Sequence, residues 1–183
     1  RVARRQVLSS VGQAILIDTY RSLFAADGLD VGQILLTKSD FSTPEHAANI
    51  RQCILAFFAY GIVPVVNEND TVSVESLMFT DNDELAGLLA DLIGADLLII
   101  LSSIDGLYDG DPAAPDAKLI RSVAPGEDLS RFVSETKSSH GRGGMDTKLR
   151  VATGTAAKGI ATVIANGFRH GVLTDVVSGA DLP

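Results

Sequence analysis

Apolar residues follow two patterns along the chain, and the pattern changes at Gly, Pro and Asp residues. Three segments repeat apolar residues at helical spacing, which predicts amphipathic helices that begin near Val7, at Thr43 and at Asp81. A fourth helix is predicted to begin at Gly143 and Gly144. Short continuous apolar runs predict buried strands instead. These runs are QILLT (33–37), IVPVV (62–66), LLIIL (97–101) and ATVIA (161–165).

Residues that favour helix ends define the limits of these helices. The first helix is expected to stop at Asp27 and Gly28. Thr43 is the predicted cap of the second helix, with Pro44 at its first position and its end at Gly61. Its predicted apolar face, on which the cysteine is expected to pack, comprises Ile50, Cys53, Ile54, Phe57 and Phe58.

The other segments carry mixed signals. Asp81 and Glu84 resemble a capping box at the start of the third helix. Residues 71–80 alternate weakly, which predicts a small hairpin, and residues 103–130 predict a polar excursion with a short strand near 118–123. The last helix is expected to run to about Lys158, and no clear element is predicted after residue 170.

The order of these elements predicts the fold class. Strands and helices alternate through short connections, and at least three strands are continuous apolar runs. This pattern is typical of a parallel sheet that is covered by helices on both faces. We therefore predict an α/β, three-layer sandwich with a mostly parallel sheet, formed by residues 1–183 as a single domain.

Composition narrows the classes of partner. Hydrophobic residues make up 46% of the chain and charged residues 21%, which is typical of a globular protein. The net charge of −8 disfavours nucleic acid as a partner, and no apolar run is long enough for a membrane span. The single cysteine excludes an internal disulfide, so a cytoplasmic setting is expected.

Polar clusters follow the predicted strands at the edge where open α/β sheets bind ligands. They are NEND (67–70), SSIDG (102–106) and the Asn166–Gly167 pair. Two further clusters, DND (81–83) and GRGGMDTK (141–148), begin helices, where backbone N–H groups favour anions. NEND also has a plain structural explanation as a polar turn, and DND has one as a helix cap.

The glycine-rich cluster fits neither of two well-known phosphate motifs. Lys148 follows Thr147 and precedes Leu149, so the segment is not a P-loop, and it does not follow a strand as the dinucleotide motif requires. The lysine lies about one turn into the helix, from which it can reach a phosphate at the helix start. A flexible loop with a glycine-initiated helix is the competing interpretation.

Three acidic residues near one sheet edge bear on the choice between a ligand-binding site and a purely structural role. Asp70, Asp81 and Asp83 would repel one another unless a cation offset their charge. We expect that cation to be Lys148, a ligand amine or Mg²⁺.

Together these motifs resemble a known family. IVPVVNENDTV, TDNDELAGLLADLIGADLLIILSSIDGLYDGDP and GRGGMDTKLRVAT, in this order and at these separations, closely resemble glutamate 5-kinases of the amino acid kinase family. The resemblance covers nearly the whole chain. It implies a cytoplasmic transferase of proline biosynthesis that uses ATP and Mg²⁺ to phosphorylate the side-chain carboxylate of L-glutamate, acts as a homo-oligomer, and binds neither nucleic acid nor a membrane.

The resemblance also implies roles for individual residues. Asp70 and Asn82 match glutamate-contacting positions, and Asp81 is the expected partner of the substrate amino group. Lys148 matches a catalytic lysine, and Asp83 the aspartate that orients such lysines. The expected nucleotide contacts are Ser102, Ser103, Arg142, Gly143, Gly144, Met145, Asp146, Thr147 and Lys148, and no residue is assigned to a metal.

The family's first strand, with its lysine and glycine-rich loop, has no match in this chain, which also lacks an initiator Met. We therefore expect a part of a longer kinase, with little or no activity of its own. Two alternatives stay open. One is a non-catalytic module that binds an amino acid or a nucleotide, and the other is a sister kinase that acts on aspartate, acetylglutamate, carbamate or UMP.

Overall fold

The computed structural model describes residues 2–73, 79, 81–124, 126–127, 129 and 144–180. Contacts group the chain into two compact units, Arg1–Leu85 and Ala86–Pro183. The single domain remains a prediction. Among the described helices, none combines the length and the apolar character needed to cross a membrane.

The first unit contains a parallel strand pair with two helices. Its elements are helix α1 (Val2–Ala25), strand β1 (Asp30–Leu36), a 3₁₀ turn (Lys38–Phe41), helix α2 (Pro44–Ala59) and strand β2 (Ile62–Glu68). Strands β1 and β2 pair in parallel from Asp30 opposite Ile62 to Leu36 opposite Glu68. Their carboxyl ends therefore lie side by side.

Helix α2 follows its predicted boundaries but only part of its predicted face is buried. The Thr43 hydroxyl accepts a hydrogen bond from the His46 N–H at 3.3 Å, and Gly61 follows the helix with φ +69°. Ile50 and Ile54 are buried, whereas Phe58 is 51% exposed. Cys53 is also exposed, so the expectation that it packs inside was wrong. The helical spacing is correct, but the contact face is narrower than the run of apolar residues.

Helix α1 leaves apolar side chains exposed. Val7, Val11 and Ile15 recur at intervals of four, as the sequence predicts for one face of a helix, yet each is about 60% exposed. The Gln33 amide on β1 donates to the Gln13 carbonyl oxygen on α1 at 2.6 Å, so α1 contacts the strand pair through a different face.

Helix α3 (Asn82–Ile93) begins in the first unit and ends in the second. The second unit continues with strand β3 (Leu97–Ser102), strands β4 (Leu107–Tyr108) and β5 (Leu119–Ile120), helix α4 (Met145–Ala156), strand β6 (Ala161–Asn166) and helix α5 (Val172–Ser178). Strands β3 and β6 pair in parallel, and β4 and β5 pair antiparallel.

Two of these elements test the weaker sequence signals. Strand β5 confirms the short strand expected near 118–123. Helix α5 was missed, because it has only seven residues and glycines rather than capping side chains at both ends. The predicted hairpin over residues 71–80 falls mostly on residues 74–78 and 80, which lie outside the described residues.

Helix α4 runs opposite to the strand that follows it. Near the end of α4, the Thr155 hydroxyl lies 2.7 Å from the hydroxyl of Thr162, which is near the start of β6. The start of α4 therefore lies toward the carboxyl end of β6. This βα arrangement with parallel strand pairs agrees with the predicted α/β class.

Candidate functional site

The NEND cluster begins inside strand β2. The strand was expected to stop at Val66, but it continues through Asn67 and Glu68, which pairs with Leu36. The Asn69 N–H then donates to the Leu36 carbonyl at 2.7 Å, and the Asn69 carbonyl accepts from the Ser73 N–H at 3.0 Å. The polar residues that follow β2 are thus held in a hydrogen-bonded turn.

The buried Glu68 side chain stabilises this turn through hydrogen bonds. Its side chain is buried, and its Oε1 accepts hydrogen bonds from the Ser73 hydroxyl and from the Phe79 N–H, both at 3.2 Å. Sequence reasoning assigned no role to Glu68. Because a buried carboxylate needs such donors, Glu68 ties Phe79 to the carboxyl end of β2.

The start of α3 lies at the same edge of this strand pair. The Phe79 N–H donates to Glu68 on β2, as described above. In addition, the Phe41 and Phe79 rings meet edge to face with centroids 6.0 Å apart. The Lys38 ammonium, two residues beyond β1, lies 2.6 Å from Glu84 Oε1. The first unit therefore brings the NEND and DND clusters together at one edge of the strand pair, as the sequence predicts.

Asp81 uses one oxygen as a helix cap. Its Oδ1 accepts a hydrogen bond from the Glu84 N–H at 3.0 Å, which confirms the predicted cap. Its Oδ2 is buried and has no hydrogen-bond partner in the described part of the chain, and the same holds for Asn69 Oδ1. Asn82 is exposed and Asp83 half-buried in the first turn. Asn69 was not singled out from the sequence.

Asp70 is held by helix α1. Its Oδ1 accepts from Arg5 Nη2 at 2.8 Å, and its Oδ2 accepts from the Ser9 hydroxyl at 3.0 Å. Arg5 and Lys38 are thus cations beside this acidic edge, which the sequence did not reveal because they lie far along the chain from their partners.

The second unit presents its own polar edge. Ser102 ends β3 and pairs with Asn166 at the end of β6, and the Gly167 N–H donates to the Ser102 carbonyl at 2.8 Å. Ser103 follows, exposed. The Asn166 amide donates to Asp105 Oδ1 at 3.0 Å. The clusters SSIDG and NG, which the sequence placed after two separate strands, are therefore neighbours.

Tyr108 belongs to this edge through Asp105. Its hydroxyl donates to Asp105 Oδ2 at 3.4 Å. Desolvation, followed by the negative charge of Asp105 and this hydrogen bond, raises the pKa of Tyr108 above its usual value. The hydroxyl therefore remains a protonated donor across the physiological range.

Helix α4 begins at this edge with Gly144 as its N-cap. The Thr147 N–H donates to the Gly144 carbonyl at 3.1 Å, and Gly144 provides no side-chain cap. The N–H groups of Met145 and Asp146 come before the first N–H group that donates within the helix, that of Thr147, so they point out of the helix start and favour an anion. Thr147 is buried and Lys148 half-buried, while Arg142 and Gly143 lie outside the described residues.

The structure thus groups the candidate residues by unit. Asp70, Asp81, Asn82 and Asp83 belong to the first, and Ser102, Ser103 and the residues 144–148 belong to the second. The expected partnership of Asp83 with Lys148 stays a prediction. Among the described residues, no group of three or more His, Cys, Asp or Glu side chains is arranged to hold a metal ion.

Comparison with known proteins identifies the family of this chain. The sequence profile of the amino acid kinase family matches residues 1–166. The chain belongs to the amino acid kinase family. Among solved structures, UMP kinase from Ureaplasma parvum shares the family fold with a TM-score of 0.56 and 14% identity, over 86% of this chain and 60% of that one.

Several curated relatives are named glutamate 5-kinase. The chain is 50% identical over 180 residues to the glutamate 5-kinase of Bacteroides thetaiotaomicron, covering 98% of this chain and 50% of that protein. It is 43% identical over 182 residues to the glutamate 5-kinase of Symbiobacterium thermophilum, covering 99% and 70% respectively. The chain spans about half the length of several such relatives.

Proposed function

We propose that the protein containing this chain is a glutamate 5-kinase. It transfers the terminal phosphoryl group of ATP to the side-chain carboxylate of L-glutamate, which gives glutamyl 5-phosphate for proline biosynthesis. The relatives named glutamate 5-kinase support the reaction. The observation that carries the proposal is the buried Asp81 Oδ2, which has no donor in the described chain and lies at the edge that also holds the NEND turn.

The first unit is proposed to bind glutamate. An ammonium group is a donor only, so it suits a carboxylate oxygen that lacks a donor, and Asp81 Oδ2 is such an oxygen. Asp70 is the second proposed acceptor. Asn82, whose amide both donates and accepts, is proposed to contact the substrate as well.

The second unit is proposed to bind ATP. The N–H groups at the start of α4 and the ammonium of Lys148 suit a phosphate chain, and residues 142–148 form the proposed nucleotide loop. Ser102 and Ser103 are proposed to contact the nucleotide at the neighbouring strand ends. Mg²⁺ is proposed to accompany ATP, because kinase magnesium is held mainly by phosphate oxygens and water with few protein carboxylates.

Lys148 and Asp83 are the proposed catalytic residues. Phosphoryl transfer needs alignment and charge neutralisation more than covalent help. Lys148 is proposed to neutralise charge on the transferred group, and Asp83 to orient catalytic lysines.

Acyl phosphate formation tests the proposal directly. The full-length protein is incubated with ATP, Mg²⁺ and glutamate, aspartate, acetylglutamate, carbamate or UMP. Acyl phosphates are captured as hydroxamates, and ADP release is followed for every substrate. Among these five substrates, we expect only glutamate to be turned over. Turnover with another member of the panel would indicate a sister kinase, and tight binding of ATP or glutamate without turnover would indicate a non-catalytic module.

We further propose that the protein acts in the cytoplasm as a homo-oligomer. The single cysteine and the use of ATP agree with a reducing compartment. Light scattering after size-exclusion chromatography of the full-length protein measures its oligomeric state, and a monomeric mass would contradict this part of the proposal.

A further inference from the structure

Three side chains of helix α1 converge on the turn that follows strand β2. Arg5 Nη2 lies 2.8 Å from Asp70 Oδ1, and the Ser9 hydroxyl lies 3.0 Å from Asp70 Oδ2. The Gln6 side-chain amide donates to the Thr71 carbonyl at 3.0 Å. Arg5 and Ser9 are four residues apart, so they share one face of α1 and contact both oxygens of one carboxylate.

These contacts orient the Asp70 carboxylate but leave it able to accept further hydrogen bonds. Two donors hold its two oxygens, so the group cannot rotate freely, but an ionised carboxylate has about four acceptor positions. The Asp70 side chain is 21% exposed and can therefore still meet a ligand. The backbone bonds of the turn, by contrast, run through Asn69 and leave the Asp70 side chain unconstrained.

We infer that Arg5 and Ser9 are positioning residues that hold the Asp70 carboxylate ready for the ammonium group of the amino acid substrate. This inference rests on the proposed function. The Arg5 side chain is 48% exposed, and exposed ion pairs add little to folding stability. The pair is thus expected to act on substrate affinity and not on the stability of the fold.

Steady-state kinetics of the full-length protein test this role. We expect Ser9→Ala and Arg5→Ala each to raise the KM for glutamate about tenfold, because a hydrogen bond to a charged group is lost. The kcat, the KM for ATP and the Tm should stay near the wild-type values. Arg5→Lys should restore part of the affinity, since lysine keeps the charge without the planar fork of donors.

Ser10→Ala is the matched control. Ser10 is exposed and lies about 100° further around the same helix, so its loss should leave the KM for glutamate unchanged. Hydrogen exchange of a peptide covering residues 67–73 adds a readout without substrate. That peptide should exchange faster in Ser9→Ala and Arg5→Ala than in Ser10→Ala.

The outcomes separate this inference from the proposed function. An active wild type whose Ser9→Ala and Arg5→Ala variants keep the wild-type KM for glutamate would overturn the positioning role alone. A wild type without glutamate turnover would overturn the proposed function, and the role toward glutamate with it.

Discussion

Asp81 gives its two carboxylate oxygens different surroundings. One oxygen accepts the Glu84 N–H at the start of α3, and the other is buried with no partner in the described chain. The helix cap and the proposed ligand acceptor therefore use different oxygens of one side chain and can be tested separately. Asparagine caps helices about as well as aspartate does, but it cannot supply the negative charge that an ammonium group requires.

Substitution of Asp81 should separate the two functions. We expect Asp81→Asn to change the free energy of unfolding by less than about 1 kcal/mol, because the cap is kept. The same change should raise the KM for glutamate on the order of tenfold or more, since a charge-assisted hydrogen bond is lost. Asp81→Ala should show the same loss of affinity plus a destabilisation of about 1 kcal/mol. A wild-type KM in Asp81→Asn would remove Asp81 from the substrate site.

Lys148 is the second residue whose proposed role can be measured alone. If it neutralises charge on the transferred group, Lys148→Met should lower kcat by about a hundredfold or more, with a smaller change in the KM for glutamate. Arg150→Met is the matched control, because Arg150 is exposed and lies two residues further along the same helix, on another face. Equal kcat values for the two variants would contradict a catalytic role for Lys148.

For single residues, the sequence identified those that lie in recognisable motifs, but it did not identify the side chains that hold them in place. Asp70, Asp81 and Lys148 stand at predicted strand ends and helix starts, where position alone suggests chemistry. Arg5 and Ser9 contact Asp70 across more than sixty positions, and no local pattern reports such a contact. Glu68 was missed because the strand was expected to end before it.

Among whole elements, helices α3 and α4 meet at a glycine in the second unit. A Cβ atom at Gly87 would lie 2.8 Å from Val151 Cγ1, which is closer than carbon atoms pack. A Cβ atom at Gly154, by contrast, would meet nothing within 4 Å. The two helices can therefore pack closely at Gly87 only because that residue has no side chain.

Alanine at these two glycines should have opposite effects. Gly154→Ala should raise the free energy of unfolding by about 1 kcal/mol, because alanine favours the helix. Gly87→Ala should lower it by about 1 kcal/mol, since overpacking outweighs the same helical gain. Thermal or denaturant unfolding of the full-length protein measures both changes. Adding Val151→Ala to Gly87→Ala should cost less than the sum of the single changes, and strict additivity would contradict the contact.

Element boundaries followed the sequence where end signals are strong. The Thr43–Pro44 start of α2 and the Asp81 start of α3 were predicted correctly, because caps and proline act locally. Burial was predicted less well. Apolar spacing places Val7, Val11 and Ile15 on one face of α1, but spacing cannot say whether another element covers that face.

Across the whole molecule, the motifs divide between the two units. The NEND turn and the start of α3 belong to the first unit, while the ends of β3 and β6 and the start of α4 belong to the second. Because the residues proposed to bind glutamate belong to the first unit and those proposed to bind ATP belong to the second, each ligand should have its main effect on its own unit.

Hydrogen exchange with each ligand alone should show this division in the full-length protein. Glutamate should slow exchange in peptides covering residues 67–73 and 81–85, because its proposed acceptors end β2 and begin α3. ATP with Mg²⁺ should slow exchange in peptides covering residues 102–108 and 144–149, because phosphate occupies the outward-pointing N–H groups of α4. A peptide covering residues 10–16 of α1, which contribute to neither proposed ligand site, serves as the control and should not respond to either ligand. If ATP alone protected residues 67–73 and left residues 144–149 unchanged, the assignment of nucleotide to the second unit would be wrong.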